Sequence, residues 1–138
     1  MKRILVFTLS LILITVPAFA DFLDDFNRYA DIHGIAPAKQ FVSSDGSVYF
    51  MSDFVILTSE VNTVTVAGQD HIQTLAVACC ALDSIDQKES YSESSGRIFV
   101  TYLDALKAED KTAYSVLYGY IKIYVIIADD LIIVNLVE

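Results

Sequence analysis

Apolar positions recur along this chain with two different periods, and the change of period marks the elements. Phe22, Phe26, Tyr29 and Ala30 fall on one face at helical spacing, and His33 continues that face, so Asp21 to His33 is predicted as a helix. Asp21, Asp24 and Asp25 sit in its first turn, where negative charge suits the helix dipole. Gly34 and then Pro37 supply the stop. From Lys39 to Gly68 the pattern changes to β structure. Asp45-Gly46 is a hairpin signal between Phe41-Val42 and Val48-Tyr49-Phe50. Met51 to Thr58 continues as a strand, Glu60-Val61-Asn62 turns the chain, and Thr63 to Ala67 alternates with Val64 and Val66 facing inward.

Helical spacing returns at Asp70 to Asp83. Asp70 is placed to cap, and Gln73 three residues later resembles a capping box. Ile72, Leu75, Cys79 and Leu82 form the predicted inner stripe, with Ala76 beside it and Cys80 about 100° round the helix at its flank. Ser84 to Ser95 is polar and is expected to be a loop. Ser94 or Ser95 then caps a helix to about Ala108, with the apolar stripe Phe99, Tyr102, Leu103 and Leu106 and with Ile98 adjacent.

The end of the chain is its most hydrophobic part after the leader. From Tyr114 to Ala128, Ile121, Ile123, Val125 and Ile127 form one face, while Tyr118, Tyr120, Lys122 and Tyr124 form the other. Asp129-Asp130 turns the chain and Leu131 to Val137 returns as a strand. A spanning helix is excluded here, because each of Lys122, Asp129 and Asp130 would cost about 2.5–3.5 kcal/mol at a bilayer centre. A hairpin covered on both faces is expected, by helices on one and by a partner chain on the other. The whole order implies an α+β domain: an antiparallel sheet of about five strands with three helices packed mainly on one face. The tyrosine face, Tyr118, Tyr120 and Tyr124, is the candidate ligand or partner surface, including a homodimer through the C-terminal hairpin.

Residues 1–20 read as an export signal. Lys2 and Arg3 precede an apolar run from Ile4 to Val16, Pro17 ends it, and Ala18-Phe19-Ala20 has small residues at the two positions that a signal peptidase reads. Cleavage after Ala20 would leave one domain, 21–138, in the bacterial periplasm or outside the cell. Its net charge would be −11, the −9 of the full chain less Lys2 and Arg3. That balance disfavours phosphate backbones and anionic membranes, so no nucleic acid and no membrane span in the mature chain are expected.

Catalytic patterns are sparse. The two histidines, His33 and His71, belong to no HExxH motif, and CxxC, GxSxG and Gly-rich phosphate loops are missing. Cys79 and Cys80 are adjacent; their Cα atoms, ~3.8 Å apart, are too close for an unstrained disulfide. Two small buried thiols are the expectation. No cofactor, metal site or catalytic residue is assigned. The chemistry leans toward a small exported non-enzymatic domain that binds a protein partner or an apolar ligand, such as a periplasmic accessory, inhibitor or immunity-type protein. A small secreted hydrolase using carboxylates is the alternative, since eighteen acids leave room for a pair.

Overall fold

Three helices lie on one side of a seven-stranded antiparallel sheet. A computed structural model describes residues 22–44, 48–52, 55–60, 62–86 and 91–138. The expected export signal 1–20, Asp21 and the Asp45-Gly46 turn lie outside these described residues, as do Gln87 to Ser90 of the expected loop. The elements run α1 (residues 22–33), β1 (Lys39–Val42), β2 (Val48–Ser52), β3 (Val55–Glu60), β4 (Thr63–Gly68), α2 (His71–Asp86), α3 (Tyr91–Lys107), β5 (Thr112–Leu117), β6 (Ile121–Ala128) and β7 (Leu131–Val137).

The sheet order is β1-β2-β3-β4-β7-β6-β5. Two meanders, β1 to β4 and β5 to β7, meet where β7 pairs with β4. The helical pair α2–α3 carries the chain from the middle of the sheet to its far edge. This is the expected α+β class with an antiparallel sheet and three helices. The strand number rises because two runs that look continuous in sequence each hold two strands, and residues 53–54 of the expected 51–58 strand lie outside the described residues. Met51 belongs to β2, and the register Ser52↔Val55 reverses the chain before β3. The 114–128 run divides at residues 118–120, between Leu117 and its partner Ile121. Tyr118 and Gly119 both adopt left-handed backbone there, with φ of 54° and 79°. Tyr118 packs against the core, which offsets the cost of that conformation in a bulky residue.

Alternation decides which face is covered. Val55 and Leu57, Val64 and Val66, Ile132, Val134 and Leu136, and Ile121, Ile123 and Val125 are all buried beneath the helices. Each such side chain removed from water contributes about 1.5–3 kcal/mol to the folded state. α2 is buried nearly all round from Thr74 to Ser84, because it lies on the sheet with α3 on one flank and α1 on another. Ile72 is the exception to the expected α2 stripe, being 69% exposed. Cys80 is not at an open flank but fully buried, its thiol 3.5 Å from the Phe26 carbonyl oxygen of α1.

The helix boundaries have local causes. Gly34, with φ 68°, ends α1, and Ile35 N–H reaches back to the Ala30 carbonyl at 2.8 Å. Asp70 Oδ1 accepts from Gln73 N–H at 3.0 Å, which is the expected cap of α2. α2 then overruns its expected end, to Asp86; the Ser84 hydroxyl donates to the Cys80 carbonyl at 2.8 Å, which suits a serine within a helix. α3 starts at Tyr91, inside the segment expected as a loop. The expected inner stripe of α3 is also corrected. Ile98, Thr101 and Ala105 face the sheet, whereas Phe99, Leu103 and Leu106 are exposed. The small Ala105 permits close approach to the sheet, and the Thr101 hydroxyl lies 2.6 Å from that of Ser115 on β5.

Candidate functional site

The face of the sheet opposite the helices holds a set of outward aromatic and aliphatic side chains. Residues paired across neighbouring strands point the same way, so the register sorts them into rows. One row reads Thr65, Asn135, Tyr124, Tyr114 across β4, β7, β6 and β5. The next reads Ile56, Ala67, Ile133, Ile126, Thr112 from β3 to β5. Tyr114 is 65% exposed and Tyr124 37%, and Ile56 and Val116 are also exposed. The rings of Tyr114 and Tyr124 stack with centroids 5.6 Å apart. That contact holds the pair as one raised aromatic ridge. Beside it the Thr65 hydroxyl donates to Asn135 Oδ1 at 2.8 Å, which orients the amide.

The three tyrosines singled out in the sequence take different positions. Tyr124 lies in the middle of this face on β6. Tyr120 is exposed in the turn that precedes β6, and Tyr118 is half-buried against the core. Tyr114 joins Tyr124 instead. Its partnership follows from the β5–β6 register, which a sequence read as one continuous 114–128 strand does not contain.

A second apolar feature lies on the helical side. A groove of about 410 Å³ between α2 and α3 is lined by Ile72, Leu75, Cys79 and Phe99, among others. His71 closes one part of the α2–α3 contact, with Nδ1 2.8 Å from the Tyr102 hydroxyl and the two rings edge to face. His71 is therefore half-buried and structural.

The buried polar chemistry clusters where α1 meets α2. His33 Nε2 lies 3.5 Å from Asp83 Oδ2, and the Asp83 side chain is fully buried. Tertiary folding thus brings His33 to the same stretch of α2 that carries both cysteines. The thiols are free and buried. Burial, with the Asp83 carboxylate adding to it and Cys80 contributing, pushes the Cys79 thiol up to about 12. Burial and Asp83 push Cys80 up to about 12 as well. Thiols held this far above neutrality are protonated and are poor nucleophiles. The arrangement locks helices together and does not activate sulfur. No group of three or more His, Cys, Asp or Glu able to hold a metal occurs among the described residues, and no helix there is long and apolar enough to cross a membrane.

No family model, no curated protein and no solved structure matches this chain.

Proposed function

We propose that this protein is a small exported binding domain without catalytic activity, and that it acts through the uncovered face of its sheet. The observation that carries this reading is the stacked Tyr114–Tyr124 ridge, set among Ile126, Ile133 and Asn135 on the side away from all three helices. Contiguous apolar surface of this kind marks interaction sites in folded proteins. Tyrosine suits such a role, since it buries a large area and loses little side-chain entropy. The occupant is a protein surface, and the domain serves as a periplasmic accessory, inhibitor or immunity-type protein.

Export rests on the leader pattern in residues 1–20. The test combines both parts. Cells expressing the full chain are fractionated, and the processed protein is cross-linked in place. Processing after Ala20, an exported location and a cross-linked complex that Tyr124→Ala abolishes are expected. An unprocessed chain retained in the cytoplasm would overturn the export half. A complex indifferent to Tyr114→Ala and Tyr124→Ala would overturn the binding half.

A further inference from the structure

The outward side chains change size from strand to strand. β4 presents Thr63, Thr65 and Ala67, all small, whereas β6 presents the large Lys122, Tyr124 and Ile126 before it ends at Ala128. β7 lies between them with Ile133, Asn135 and Val137. The face is therefore a trough beside a ridge, with Asn135 midway.

We propose that a second copy of this chain occupies the face, packed sheet to sheet about a two-fold axis that runs along β7. The proposal rests on the reading of this face as the binding surface and names its occupant. Rotation about such an axis reverses the strand order and keeps the residue rows. β6 of one copy then covers β4 of its mate, and the ridge of each enters the trough of the other, as an isologous interface requires. Tyr124 lies over Thr65 of the mate and Ile126 over Ala67. Asn135 meets its own counterpart on the axis. Its Oδ1 already accepts from Thr65, so its amide N–H is placed to donate across the interface. Aligned sheets pack about 10 Å apart with strands within about 30°, which preserves these pairings near the axis.

Charge and area agree with this occupant. The chain carries 18 Asp and Glu against 9 Lys and Arg, so most of its surface repels a second copy. The outward positions of β4, β5, β6 and β7 hold no carboxylate; the charged residue there is Lys122, and on β3, the fifth strand covered, the register places Glu60 in the row of Lys122. Five strands, β3-β4-β7-β6-β5, overlap when the axis runs along β7; spaced ~4.8 Å and about six residues long, they present roughly 480 Å² in projection. Side-chain relief raises the accessible area above that figure, toward the ~600 Å² per partner at which specific interfaces begin.

The test is native mass spectrometry, with sedimentation at a range of concentrations, on the full-length chain produced with its own leader. The expected mass is twice that of one chain. Thr65→Tyr sets tyrosine against tyrosine at two symmetry-related places and is expected to raise the dissociation constant more than about thirty-fold. The exchange Thr65→Tyr/Tyr124→Thr restores ridge against trough and is expected to recover the dimer. Phe99→Glu, on the helical side, leaves it intact. Circular dichroism confirms that each variant is folded. A monomer at every concentration overturns the proposal, as does a dimer unaffected by folded Thr65→Tyr or not recovered by the exchange. If the protein is a monomer but Tyr124→Ala still abolishes a complex with another protein, the second copy is overturned and the surface reading stands. If Tyr124→Ala changes nothing, both fall.

Discussion

Gly68 closes β4 directly beneath the first turn of α2, and adding one carbon there strikes a close helix–sheet contact. A Cβ at position 68 would collide with Thr74 Oγ1 and come within 3.3 Å of Val55 Cγ2. Thr74 is fully buried, and its hydroxyl donates to the Asp70 carbonyl at 2.6 Å. Gly68→Ala must therefore displace that hydroxyl or push α2 away from the sheet. Overpacking costs about 1–3 kcal/mol. Stranding the displaced buried hydroxyl adds about 1–3 kcal/mol. Reduced chain entropy in the unfolded state returns about 0.4–1 kcal/mol. The net expectation is a loss of about 3 kcal/mol, or roughly 10 °C in Tm for a domain of this size. Thr74→Ala removes the obstructing oxygen and leaves Thr74 Cβ at an ordinary 3.7 Å from the new carbon. The two changes together are thus expected to cost less than the sum of their separate effects, by about 1–2 kcal/mol. Urea denaturation followed by circular dichroism measures all four corners of this cycle. A stable Gly68→Ala variant, or strictly additive losses, would refute the close approach of β4 and α2.

Other consequences can be measured separately. Asp70→Ala removes the cap from Gln73 N–H and should cost about 1 kcal/mol in the same denaturation experiment. His33→Ala removes the imidazole beside the buried Asp83 and should cost about 2 kcal/mol, with amide exchange rising first in α1. The thiols of Cys79 and Cys80 should resist alkylation in the folded protein and react when it is unfolded, which a thiol-labelling time course with and without urea will show. Their native values near 12 exceed the ordinary 9.0, so the unfolded chain loses these protons first as pH rises. Their contribution to stability is accordingly intact below pH 9 and lost progressively from there to about 12; Cys79→Ala/Cys80→Ala should flatten the stability-against-pH curve in that window.

Much of this architecture is written locally. Phe26, Tyr29 and Ala30 announce the buried face of α1, and Gly34 its end; Val64 and Val66 announce β4; Asp129-Asp130 announces the turn into β7. These signals are legible because each depends on near neighbours in the chain. The inner face of α3 is not legible in that way. The most apolar direction, through Phe99, Leu103 and Leu106, points outward, while the sheet takes Ile98, Thr101 and Ala105, of which Thr101 and Ala105 are small enough to let the helix approach. The break at Tyr118-Gly119 is likewise hidden, since Tyr118 occupies a left-handed conformation that its residue type disfavours. The candidate surface was half visible for the same reason: Tyr124 follows from alternation along β6, but its stacking on Tyr114 requires the register between two strands.

The most direct test of the central claim places a photoreactive phenylalanine derivative at position 124 in living cells, with position 99 as the comparison. Irradiation should yield an adduct of the exported, processed chain from position 124, of twice the processed mass, and none from position 99. No adduct from position 124, or adducts from position 99 alone, would contradict the assignment of the sheet face as the binding surface.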